Sequence, residues 1–282
     1  MRLRGIRKSR NVEVRGGRSG GRRAGRAGGL GVVGVLLVLG IGYVTGVDVS
    51  PLLQGSTSPQ SQQSGQVAGQ DSRATQFSAQ VLATTEDVWS KVFNEQLGRA
   101  YVPPKLVVFT GVTQSPCGGA SGATGPFYCP ADSKAYLDTA FFDMLDQRMG
   151  AGGDFAAAYV IAHEVAHHVQ NELGILPKVN AARQKASKIE ANALTVRLEL
   201  MADCLSGVWA VNVKGLMEKG DLQEALNAAR KIGDDHLQRQ AGRVPQPHTF
   251  THGTSEQRAR WFARGFDSGQ VGQCDTFEAR QL

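Results

Sequence analysis

Two histidines and a glutamate at fixed spacing carry the first chemical information in this 282-residue chain. His163 and His167 lie four positions apart, so on a helix both imidazoles leave the same face and can aim ring nitrogens at one cation. Glu164, directly after the first histidine, stands where a carboxylate reaches a water beside that cation and can take its proton. A third protein ligand is needed, and Glu199-Leu200-Met201-Ala202-Asp203 offers one further along. Glu199 and Asp203 share a helix face, so Glu199 can complete a His2Glu set while Asp203 accepts the second ring N–H of a ligand, His163 being the favoured choice. Glu172 and Glu190 are rival third ligands. Glu172 points away from His167, however, and Glu190 sits well before Glu199 on the same expected helix. Nitrogen and carboxylate donors with one position left open suit Zn2+, and the chemistry they imply is metal-assisted hydrolysis.

The segment after His167 excludes one zinc class. A metzincin would continue with a histidine at 173, where Leu173 stands, and a glycine at 170, where Gln170 stands. The His2Glu set with its acid four residues on is the thermolysin-like, gluzincin arrangement. Hydrolysis of that type also needs a donor for the developing oxyanion, and His248, His252, Tyr136 and Tyr159 are the candidates, with His252 taken as the catalytic one. His168 follows a ligand and is rotated about 100° from it, so it has a supporting role.

The elements that must hold these residues are mostly helical. Asp154 is an expected N-cap for FAAAYVIAHEVAHHVQNEL, which Gly174 and Pro177 end. Asn180 is expected to open the long helix that carries Glu199 and Asp203, running to about Val211. Helices are also expected over 77–98, over DLQEALNAARKI with a capping box from Asp221 to Glu224, and after Thr254, with Gln257 at capping-box spacing. KLVVFTG and the stretch around Ala135 to Leu137 read as strands. The latter is an expected edge for an extended substrate. The result is an α+β domain, predominantly helical and zincin-like.

Charge divides the chain. Residues 1–47 hold ten of 31 Lys and Arg residues and one of 25 acids, which leaves a formal −3 on the remainder, so the overall +6 is no sign of a nucleic-acid-binding body. Residues 1–29 read as a basic cytoplasmic tail. Residues 30–47, uncharged and spanning roughly 27 Å as a helix, read as one transmembrane segment contacting the lipid bilayer. A cleaved signal peptide and a buried glycine-rich helix are the other readings of that stretch. The positive-inside rule then puts the N-terminus in the cytoplasm and the domain, residues 76–282, outside the cell membrane behind a Ser/Gln/Gly/Pro linker over 48–75. Four cysteines in an exported domain suggest two disulfides. Of three connectivities, Cys117 with Cys129 and Cys204 with Cys274 is favoured, the first pair being close in sequence.

Taken together, FYCPAD with YLDTAFF, AHEVAHHVQ, LELMADCLSGVWA and THGTSEQRARWF, spread from about Phe77 to Cys274, resemble the successive blocks of the bacterial putative neutral zinc metallopeptidase family. The resemblance implies zinc at His163, His167 and the following acidic block, an N-terminal anchor, and peptide or protein substrates. The expected function is that of a zinc-dependent endopeptidase at the outer face of the membrane. A non-catalytic, metal-stabilised envelope scaffold and a regulatory protein are the alternatives, and Glu164 weighs against the scaffold because a purely structural metal site has no use for it.

Overall fold

A computed structural model describes residues 1–16, 72–121 and 125–282. Helix α1 (Arg73–Leu97) starts at Ser72, whose hydroxyl accepts from the Thr75 N–H, and stops at Gly98 in the left-handed region. Four strands form the main sheet: β1 (Val12–Arg15), β2 (Lys105–Phe109), β6 (Lys134–Asp138) and β5 (Phe127–Cys129), in the order β1-β2-β6-β5. The first three run parallel and β5 runs antiparallel to β6, with Tyr136 facing both Val107 and Phe127. Alternation sorts the side chains: Leu106, Val108, Ala135 and Leu137 enter the main core, while Val107, Phe109 and Tyr136 form a smaller apolar cluster with Cys129. A separate hairpin pairs β3 (Val112–Ser115) with β4 (Gly118–Ser121).

Helices supply the rest. After α2 (Ala140–Gln147) come α3 (Asp154–Glu172), α4 (Ile175–Arg183), α5 (Lys188–Asn212), α6 (Asp221–Lys231), α7 (Asp234–Gln240) and α8 (Ser255–Ser268). Helix α3 is buried along most of its length because its small and branched residues meet the sheet on one side and α5 on the other. Thr254 and Gln257 form the expected capping box, and Ser187 with Glu190 forms a second one at the start of α5.

Several expectations need correction. β6 is flanked on both sides, so among the described residues the sheet edges are β1 and β5, and β6 is no edge for a substrate. Asn180 lies inside α4, and Pro177 sits in the first turn of that helix, where its missing N–H leaves no bond unmade. Gly153 and Gly220, not Asp154 and Asp221, are the cap positions of α3 and α6.

The largest correction concerns the membrane. No helix among the described residues is long and apolar enough to cross one, so the fold is a mixed helix and sheet domain with no transmembrane helix shown. Residues 30–47, on which that expectation rested, lie outside the described residues. The start of the basic head is moreover part of the fold and not a separate tail. β1 pairs with β2, Ser9 Oγ donates to Glu86 (2.5 Å), Arg7 lies 2.9 Å from Glu86 and 2.6 Å from Asp87, and the Met1 amine donates to Asp154 (2.8 Å) and Glu218 (2.9 Å). The Met1 amine and Arg7 are thus paired with acids of the domain.

Helices α5 and α8 meet backbone to backbone. A Cβ at Gly265 would fall 1.8 Å from the Cys204 carbonyl oxygen, and one at Gly207 would fall 2.1 Å from that of Phe262. Two disulfides, Cys117–Cys129 and Cys204–Cys274, join the cysteines as paired from the sequence, and the second fastens α5 to the C-terminal segment beside α8. Gly265→Ala should therefore destabilise the protein by about 2 kcal/mol or more through overpacking, although alanine favours helices by about 1 kcal/mol over glycine. Urea denaturation reads the sign, and an unchanged or higher midpoint would mean that the helices can separate without cost.

Candidate metal centre

Helix α3 places His163 and His167 one turn apart, with ring centroids 4.8 Å from each other. Helix α5 brings Glu199 to both: Oε2 lies 3.1 Å from His163 Nε2, and Oε1 lies 3.4 Å from His167 Nε2. One donor atom from each of the three residues falls within 4.8 Å of the others, the spacing of a shared ion. Glu172 and Glu190 are not in this group, and Glu190 is committed to capping at Ser187.

Neighbours decide which ring nitrogen faces the centre. His163 Nδ1 is 3.0 Å from the ionised Asp203 Oδ1 and must donate to it. His167 Nδ1 is 2.9 Å from Gln170 Oε1, the acceptor end of an amide whose Nε2 donates to the Leu198 carbonyl at 2.6 Å, so His167 Nδ1 donates as well. Both Nε2 atoms thus face Glu199, and loss of the Nε2 proton leaves the tautomer that a metal-binding histidine requires. His168 behaves differently. Its Nε2 donates to the Val102 carbonyl (2.7 Å) and its Nδ1 accepts from Tyr128 of β5 (3.0 Å), which makes it a structural link between helix and sheet.

Asp203 is fully buried and accepts from more than His163. Tyr159 donates its hydroxyl to Oδ1 at 2.5 Å, Arg258 Nε donates to Oδ2 at 2.9 Å, and its NH2 donates to Oδ1 at 3.0 Å. Burial works against ionisation of this carboxyl, but Arg258 and His163 outweigh it and hold its pKa below the usual value. Glu164 is buried next to His163. Burial raises its pKa above that of an ordinary carboxyl while His167 and His163 pull the other way.

Of the candidate donors, His252 is the one at the centre's rim. Gly253 after it packs so closely that a Cβ there would lie 3.2 Å from Leu200 and 3.3 Å from Val196, on either side of Glu199 in α5. Asp234 shapes this loop: Oδ2 accepts from the backbone N–H groups of Thr251, His252 and Gly253, and Oδ1 lies 3.1 Å from His252 Nδ1. His252 Nε2 takes part in none of these bonds. Tyr136 donates to Asp132 from the far cluster, Tyr159 is spent on Asp203, and His248 is exposed and gives its carbonyl to Asn192.

Gln170, Arg258 and Asp234 do not stand out in the sequence as members of this site. For Arg258 a signal exists: Arg258, Phe262 and Gly265 follow i, i+4, i+7, which puts the arginine on the buried face of α8. Gln170 lies three residues after His167, within reach on a helix. Nothing local marks Asp234.

A mixed sheet backs a buried helix carrying two converging imidazoles, and an acidic side chain reaches them from the next long helix, a donor set of the kind found in zinc peptidases. The chain belongs to the family described as putative neutral zinc metallopeptidase, whose model matches residues 1–277 and so takes in the N-terminal head. It is similar to the uncharacterized protein YpfJ of Escherichia coli K12, 49% identical over 98% of this chain and 99% of that one. The uncharacterized protein Rv2575 of Mycobacterium tuberculosis H37Rv is 42% identical over 64% of this chain and 65% of its own. No solved structure matches the chain.

The metal-free trio sets a pH dependence. Burial lowers the pKa of His163, but Asp203 and Glu199 more than compensate and lift it to about 10; His167 is also raised, with Glu199 overcoming burial. A raised histidine stabilises the metal-free fold fully below about pH 6.5 and loses that contribution as pH climbs through its folded value of about 10. Zinc takes neutral imidazole, so loading must expel those protons. At about pH 7.5 zinc binding should release at least one proton per ion, with affinity rising about tenfold per pH unit for each proton released. Calorimetric titration in two buffers of different ionisation enthalpy measures the release, and a value of zero would show that His163 is already neutral.

Proposed function

We propose that the domain is a zinc-dependent endopeptidase. The observation that carries this reading is the pair of histidines with both Nδ1 atoms committed to Asp203 and Gln170 and both Nε2 atoms facing Glu199, beside the buried Glu164. Two imidazoles and one carboxylate suit Zn2+. His163, His167 and Glu199 would hold it, and when bound it supplies Lewis acidity, polarising a carbonyl oxygen and making water a nucleophile near neutral pH.

The chain's own groups do the rest. Glu164 takes a proton from the attacking water and passes it to the leaving amine, a role favoured by the upward push of burial on its pKa. His252, oriented by Asp234 at Nδ1, presents Nε2 to the oxygen on which negative charge develops. Edge strand β5 offers backbone for an extended peptide, and its Tyr128 hydrogen-bonds His168, the neighbour of His167. Two disulfides support work in an oxidising, extracytoplasmic compartment.

A purely structural metal site needs no buried acid next to its ligands, so the scaffold reading explains less. Glu164→Gln should keep zinc and lower kcat by about a hundredfold to ten-thousandfold. Unchanged hydrolysis in that variant, or none by folded, zinc-loaded wild type on a mixed peptide library, would sink the proposal. His252→Ala should retain zinc and lower kcat by about a hundredfold to a thousandfold with a smaller effect on KM; an effect on KM alone would assign His252 to substrate binding.

A further inference from the structure

We infer that Arg258 is a positioning residue that ties the two walls of the site together, setting the His163 ring through Asp203 and the His252 loop through the backbone at Ile232. The inference rests on the reading of His163, His167 and Glu199 as a zinc centre.

Arg258 is 2% exposed, an unusual place for a guanidinium. Its Nε and NH2 grip both oxygens of Asp203, at 2.9 and 3.0 Å, in a two-point fork. A fork fixes the plane of a carboxylate as well as its charge, which a single-point donor such as lysine does not. That plane matters here because Oδ1 is shared by the Arg258 NH2, the Tyr159 hydroxyl and His163 Nδ1. Turning the carboxylate would move the acceptor away from the imidazole and let the ring rotate. If Arg258 and Asp203 served only to fill the core, two apolar side chains would do as well, since a buried ion pair seldom stabilises more than the hydrophobic residues that could replace both partners.

The remaining nitrogen points to the other wall. Arg258 NH1 donates to the Ile232 carbonyl at 3.3 Å. Ile232 ends α6 two residues before Asp234, whose carboxylate gathers the N–H groups of Thr251, His252 and Gly253 together with His252 Nδ1. Between them, Gly233 passes so near the start of α8 that a Cβ would lie 2.4 Å from the Ser255 nitrogen. A single side chain thus touches the support of a metal-facing histidine and the support of His252.

The test uses the full chain and three variants, Arg258→Lys, Arg258→Met and Tyr159→Phe. Zinc affinity is read by competition with a chromophoric chelator, ligand geometry by the visible spectrum of the Co2+-substituted protein, and folding by the urea midpoint. Loss of an outer partner of a metal-binding histidine weakens metal binding about 10- to 100-fold. Arg258→Met should fall in that range with an altered cobalt spectrum, and Arg258→Lys should lie between it and wild type. Should Arg258→Met fail to fold, Arg258→Lys and Tyr159→Phe decide. If both are folded, hold zinc within about twofold of wild type and leave the cobalt spectrum unchanged, Arg258 is a core ion-pair partner and the inference is overturned. Zinc-loaded wild type that cleaves no peptide would end the peptidase reading alone, because the chelator and cobalt measurements judge Arg258 without it.

Discussion

The arrangement of the site depends on one buried charge. Asp203 has no exposed surface, and an unpaired carboxylate there would cost several kcal/mol. Its partners come from two other helices: Tyr159 and His163, one turn apart on α3, and Arg258 on α8. Satisfying the charge therefore requires three helices to stand at a defined separation. The orientation of His163 follows from that requirement, since the imidazole is one of the donors that make burial of Asp203 tolerable.

The separation is held by backbone contact more than by interdigitating side chains. Gly207 and Gly265 let α5 and α8 touch, and the Cys204–Cys274 disulfide fastens the same turn of α5, immediately after Asp203. Helix α3 is stitched to α5 at two points, at Asp203 by Tyr159 and His163 and at the Leu198 carbonyl by Gln170. These stitches bracket Glu199. A donor set held in this way changes little when an ion or a developing charge arrives, which is the condition under which electrostatic stabilisation is most effective.

The ligand spacing was legible because it is local: a helix period relates His163 to His167 and Glu199 to Asp203, and both pairs share faces as the period requires. The partners that orient them are remote, and periodicity says nothing about remote pairing. Arg258 lies near Arg260 and Arg264 on a helix that reads as charged, and only its alignment with Phe262 and Gly265 separates it from the exposed arginines. Gln170 was informative only as the residue that is not a metzincin glycine, although its amide does the orienting. Helix starts were misplaced where a proline or an acid admitted two readings. Pro177 marks an end in one register and a first turn in another, and Asp154 spends its carboxylate on the Met1 amine while Gly153 takes the cap position.

The packing of residues 1–16 was not legible for a related reason. The arginines and glycines of this segment are accompanied by one acid, Glu13, so composition suggests a solvated tail; Glu86 and Asp87, which pair with Arg7, and Asp154 and Glu218, which pair with the Met1 amine, are far away in the chain. Folding of this segment also changes the sheet. β1 covers the side of β2 and becomes an edge itself, four residues long and bearing Glu13 and Arg15, which pair with each other while Glu13 also holds Lys134. Short, charged edges resist addition of a further strand. The capacity to bind extended backbone is thereby concentrated at the opposite edge, β5, where the Tyr128 hydroxyl reaches the residue next to His167.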